Sequence, residues 1–169
     1  MPELRIAAAA ALIVLAAACT DGATLSSAAR RRTLADRDSA FAAVQSRGKQ
    51  AMGVDQYTST HRFTPLPDGG RIELQRDQVD TSGTRQIRQH MTQIAAAFQS
   101  GNFELPGFVH DREVPGTTVM AAKRDAITYT VEPLPGGAAL RLRTGDSDAI
   151  QAIHAFLAFQ RADHHAGAH

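Results

Sequence analysis

Two stretches of this 169-residue chain pass through the same elements in the same order, which limits the possible folds more than any other feature. Tyr57 to Phe63 (YTSTHRF) has strand character. It leads through Pro65-Leu66-Pro67-Asp68-Gly69-Gly70 to a second strand, Arg71 to Gln75, and a helix from about Thr84 to Ser100. Ala126 to Val131 (AITYTV) leads through Pro133-Leu134-Pro135-Gly136-Gly137 to the strand Ala138 to Arg143 and a helix from about Ser147 to Asp163. Both helices close on Phe-Gln, at Phe98-Gln99 and Phe159-Gln160. Each glycine pair offers the positive φ that a tight hairpin asks for. The repetition, over about 57–100 and 126–163, predicts an α+β fold. Two ββα units would share one four-stranded antiparallel sheet with helices on one face.

The helical periodicity agrees. Ile87, Met91, Ile94 and Phe98 form one apolar stripe, and Ala149, Ile150, Ile153, Phe156 and Leu157 form its counterpart. Ser82 or Thr84, and Asp146 or Ser147, are available as N-caps. A further amphipathic helix is expected from Thr33 to about Gln50, with Leu34, Phe41 and Val44 on one face and Gly48 and Gly53 near its end. Gly101 to Lys123 contains Pro106, Gly107, Pro115 and Gly116 and shows little periodicity. It reads as a long irregular connector, the kind of segment in which functional residues collect.

The start of the chain reads as an export signal. Arg5 is followed by thirteen apolar residues, Ile6 to Ala18, and then by Cys19, the only cysteine. That run suits a signal h-region and is short for a membrane span. Ala16, Ala17 and Ala18 before Cys19 suit a lipoprotein signal peptide over 1–18, with lipidation at Cys19. Ordinary secretory cleavage after one of the alanines, leaving a free thiol, is the alternative. Residues 19–32, rich in Ser, Thr, Ala and Gly before Arg30, Arg31 and Arg32, read as a flexible tether, leaving 33–169 as one domain. The expected location is therefore the bacterial cell envelope, facing the periplasm, with a lipid anchor in the membrane. The 18 basic and 17 acidic residues nearly balance, which argues against a nucleic-acid partner. A single cysteine excludes an intrachain disulfide and thiolate zinc sites.

Seven histidines offer the chemistry. His61 falls on the first strand, His90 and His154 on the two repeat helices, and His110 in the connector. His164, His165 and His169 belong to a His-rich terminus. If His90 and His154 face each other across the repeat, their imidazoles could converge with His61 and His110 on Cu, Zn or haem iron. Met91 or Met120 nearby would favour copper, and His165 is a further candidate. In His110-Asp111-Arg112-Glu113, Asp111 could orient His110 as a general base while Arg112 clamps an anion. Hydrogen-bonded packing histidines and a solvated charged loop account for the same residues without chemistry. No H-E-x-x-H, C-x-x-C-H or G-x-S-x-G motif is present.

The strings Met52-Gly53-Val54-Asp55-Gln56, Thr60-His61-Arg62-Phe63, Gln86-Ile87-Arg88-Gln89-His90 and Ala152 to Gln160 (AIHAFLAFQ) carry a resemblance. From about residue 45 to 165 the chain resembles a family of short exported bacterial proteins, without an established activity, whose members are often labelled aspartate carbamoyltransferase. That enzyme needs two α/β domains of about twice this length and a Ser-Thr-Arg-Thr-Arg phosphate loop. The nearest string here, Thr81-Ser82-Gly83-Thr84-Arg85, only introduces a helix. The resembled family commonly has two histidines after the threonine, so Arg62 in the second place implies the loss of a ligand from any metal site using that pair. The resemblance implies the same fold and interest in His61, His90 and His154, and it implies no reaction.

The leading expectation is a lipid-anchored periplasmic binding protein that holds a metal ion, Cu or Zn, or a metal cofactor through histidines. A structural or interaction module docking an envelope protein partner is the alternative, and a small enzyme using His110 and Asp111 comes third.

Overall fold

The computed structural model describes residues 21–53 and 55–166. The expected signal peptide and Cys19 lie outside the described residues. Alternating apolar residues build the strands β1 (Ser59–Leu66), β2 (Gly69–Arg76), β3 (Thr128–Leu134) and β4 (Gly137–Arg143). They form one antiparallel sheet in the order β1-β2-β4-β3, with the second strands of the two units paired at its centre. This is the duplicated ββα arrangement expected from the repeat.

Strand β2 shows the patterning. Gly70, Ile72 and Leu74 are buried against the helices, while Arg71, Glu73 and Gln75 lie on the opposite face. In β4, Ala138, Leu140 and Leu142 do the same. Helix α2 (Thr81–Gln99) lies mainly on β3 and β4, and α5 (Ser147–Asp163) on β1 and β2, so each helix covers the other unit's hairpin. Each unit alone would leave its apolar strand face bare, so the two stabilise each other. Ile87, Leu140, Leu142, Ile153 and Leu157 are fully buried between these layers. Each such side chain contributes about 1.5–3 kcal/mol relative to exposure.

Local details depart from the sequence expectations in several places. The hairpin loops are only Pro67-Asp68 and Pro135-Gly136, so Pro65, Leu66, Pro133 and Leu134 belong to the strands. Of the four hairpin glycines only Gly69 has positive φ, at 130°. Gly137 is required for a different reason: a Cβ there would collide with the Leu74 carbonyl and with Ile87. The N-cap of α2 is Asp80, whose carboxylate accepts from the Gly83 N–H, rather than Ser82 or Thr84; Asp146 caps α5.

Helix α1 runs over Asp21–Met52, well before the expected start at Thr33, and takes in residues assigned to a tether. Its alanines, arginines and leucines are good helix formers, and between Gly22 in the first turn and Gly48 no glycine or proline interrupts them. Residues 21–37 form a unit of their own, and Asp38 onward belongs with the sheet. Leu34 is exposed, and the buried face begins later, at Val44, Gln45, Gly48 and Met52. Gly53, with φ 78°, stops the helix. The connector is not irregular. It contains α3 (Glu104–His110) and α4 (Thr117–Ala122), each too short to leave a periodic signature. Among the described residues no helix is long and apolar enough to cross a membrane.

Candidate functional site: an imidazole-lined apolar cleft

Between the covered sheet face, α2, α3, α5 and the end of α1 lies a cleft that is open to solvent on one side. Its floor is Phe63, Ile72, Leu74 and Leu140 from the sheet. Its walls are Met91, Ile94 and Phe98 from α2, Leu105, Pro106 and Val109 from α3, Phe156 from α5, and Met52 from α1. Four imidazoles enter this apolar lining: His61, His90, His110 and His164.

The elements explain how they come together. On β1, Ser59, His61 and Phe63 share the inward face, while Thr60 and Arg62 point outward. Position 62 therefore cannot contribute to the cleft, and the arginine there removes no ligand from it. On α2, His90 precedes the buried Met91 at the edge of the apolar stripe. His110 ends α3 and is 5% exposed. His164 stands at the C-cap of α5, four residues after Gln160 and eight after Phe156, and so continues the buried helical face past its last turn.

His61, His164 and His110 form a connected group of rings, with His90 on the facing wall of α2. His61 and His164 stack with centroids 5.0 Å apart and planes 19° from parallel, and Phe63 lies 5.6 Å from His164. His110 meets His164 edge-on at 5.1 Å. Burial pushes the pKa of His61 down to about 4, helped by the nearby His90, and burial alone brings His90 to about 4. For His164 burial, reinforced by His61, His110 and His165, pushes it to about 2. These three are neutral imidazoles at neutral pH. The buried Nδ1 of His164 has no hydrogen-bond partner among the described residues.

His110 differs from the other three. Its Nδ1 lies 2.5 Å from Asp163 Oδ2 and its Nε2 3.0 Å from Gln160 Oε1. With the carboxylate as acceptor, Nδ1 carries its proton and donates. Arg112 donates from Nη2 to the other oxygen of Asp163 at 2.6 Å and lies over the Phe159 ring. The orienting carboxylate is therefore Asp163, not Asp111, which is an exposed left-handed C-cap with φ 54°. Arg112 is committed to Asp163 and Phe159 and is not a free anion clamp. Both ring nitrogens of His110 are engaged, so it is neither an open general base nor an open ligand.

The expected ligand set of His61, His90, His110 and His154 is thus not assembled as such. His154 donates from Nε2 to the Leu66 carbonyl at 2.9 Å and does not line the cleft. Counted back from the shared Phe-Gln, His90 is eight residues away and His154 only five, so they are not equivalent positions of the repeat. Met120 is fully buried in the core away from the cleft lining, and His165 stacks on Phe41 at 4.2 Å. Met91 does line the cleft. Among the described residues no three His, Cys, Asp or Glu side chains form a group able to hold a metal ion. His164, Gln160, Asp163 and Met52 were missed in the sequence. The signal for His164 was its i+4 continuation of Phe156 and Gln160, hidden by the His-rich terminus around it.

No family model, curated protein or solved structure matches this chain.

Proposed function

We propose that the chain is a binding protein of the bacterial envelope, exported and lipid-anchored through Cys19, that holds a small ligand in the imidazole-lined cleft. The observation that carries this reading is the set of neutral imidazoles, His61, His90 and His164, around one apolar cleft. None of them has a hydrogen-bonded side-chain partner among the described residues. Buried polar side chains are normally paired within the fold, and leaving one unpaired costs about 1–3 kcal/mol. The buried, unpaired Nδ1 of His164 at the wall of an open cleft makes sense where a ligand completes it. The lining carries no Asp, Glu, Lys or Arg, so nothing in it would pair as an ion with a charged ligand. Engagement of both His110 nitrogens weighs against the catalytic alternative.

The test is occupancy of the cleft. Ligand panels of metal ions and small neutral aromatics are followed through the imidazole NMR signals of His61, His90 and His164, beside Ala51→Phe, which fills the cleft wall. Ligand shifts at these rings that disappear in Ala51→Phe, while His154 stays unmoved, are the expected result. Shifts confined to other histidines, or none with any ligand, overturn the reading.

A further inference from the structure

One wall of the cleft is closed by the turn that ends α5. His164 lines the cleft, stacked on His61 of β1 at 5.0 Å and edge-on to His110 of α3 at 5.1 Å. His165 turns back in the left-handed region, with φ 51°, and stacks on Phe41 of α1 at 4.2 Å. Ala166 then packs against the core. The His165 N–H donates to the Ala162 carbonyl and the Ala166 N–H to that of Arg161, the pair of bonds that ends a helix on a left-handed residue. Glycine usually takes that position, so a histidine there holds the turn in a strained form that its ring contacts must offset. We propose that the turn His164–Ala166 is a pH-dependent latch on the cleft, closed while its imidazole contacts are neutral and released as they take up protons. Its role as a gate rests on the cleft being the binding site.

The groups around His164 set the direction of the response. His61 and His110 face it from β1 and α3, and His165 follows it; a proton on any of them opposes one on His164. From α2, His90 acts on His61 in the same sense. The carboxylates relieve little of this. Asp163 is taken by His110 and Arg112, and Asp77, just past β2, acts on His61 less than burial and His90 do. From α1 the turn meets the uncharged Phe41 ring. Neutral imidazoles stack without repulsion, whereas a charged ring in this apolar wall loses its hydration and repels its neighbours. Releasing the turn lets water reach both His61 and His164, which regain the ordinary value near 6.5. The closed form binds fewer protons than the released form, so a fall in pH below about 6.5 favours release. Between pH 7.5 and 5 each freed imidazole shifts the balance about 30-fold, and the two together about 1000-fold.

The experiment follows amide hydrogen exchange of the untagged chain at pH 7.5 and 5, corrected for the intrinsic pH dependence of exchange, at several urea concentrations below unfolding. The expected result is at least about 30-fold weaker protection of the His165 and Ala166 amides at pH 5, through an opening that low urea does not accelerate. Exchange by global unfolding would instead rise with urea. His61→Phe and His164→Phe keep a flat ring in the stack. Each should remove a factor of about 30, and the double variant nearly the whole effect, while His154→Ala, outside the cleft, should change nothing. Circular dichroism verifies folding, and the single variants decide alone if the double variant does not fold. Equal protection at both pH values, exchange that only follows urea, or a pH effect that survives the variants overturns the proposal. Indole and phenol, followed through the imidazole NMR signals, separate the latch from the binding reading. Probe binding that weakens at pH 5 in the wild type and not in the double variant supports both. If the turn opens but the cleft takes up no member of the ligand panel, the latch stands and the binding reading falls. If the probes bind equally at both pH values over a closed turn, the latch falls and the binding reading stands.

Discussion

Acidification should destabilise this fold well above the range where its carboxylates titrate. His61 and His90 are held near 4 and His164 near 2 by burial, all below the ordinary value of about 6.5. In the unfolded chain they take up protons as pH falls through about 6.5, and in the folded chain they do not. The unfolded state then binds more protons, so stability drops as pH falls, from above 6.5 towards the folded values. At pH 5 each group removes about 2 kcal/mol, and the three together about 6 kcal/mol at most, since the cleft lets water reach part of their rings. That is comparable with the whole stability of an ordinary domain, about 5–15 kcal/mol. Asp55, Asp68, Asp80 and Asp146 are held below the usual carboxylate range by backbone N–H groups, Lys49, Arg76, Arg141 and Lys123, so their losses come at lower pH. Urea unfolding at pH 7.5, 6 and 5 reads the effect. His164→Phe keeps a flat ring against His61 and Phe63, removes one titrating group, and should recover about 2 kcal/mol of the drop at pH 5. A flat profile between pH 7.5 and 5, or a steep one that His164→Phe leaves unchanged, refutes the argument.

Two further substitutions probe the frame around the cleft. Asp163→Asn takes the carboxylate from both the buried His110 and Arg112, and should cost about 1–3 kcal/mol in urea unfolding at pH 7.5; an unchanged midpoint would show that the pair contributes nothing. Gly137→Ala places a methyl against the Leu74 carbonyl and Ile87, and should cost roughly 1–3 kcal/mol by thermal unfolding. Tolerance there would mean that the central β2–β4 pair gives way more easily than a packed sheet should.

The ββα repeat was legible because hairpin turns, strand alternation and helical stripes are local patterns, each written within about ten residues. The same patterns made the sheet, the helices and most of the core recognisable, from Ile72 and Leu74 to Ile153 and Leu157. Helices α3 and α4 were not legible, since one or two turns leave no period to detect. Three of the four histidines chosen for the site do meet at one cleft, but position in the sequence did not distinguish them from His154. That side chain is spent on the Leu66 carbonyl, a partner 88 residues away. Asp163 replaces Asp111 beside His110 for a similar reason, because the chain returns 53 residues later to supply the carboxylate. The sequence by itself determined the elements, their order and the stock of imidazoles. Which imidazoles stand unpaired in a common apolar cleft, and which are already satisfied, depends on contacts between residues far apart in the chain, and only the tertiary structure decides that.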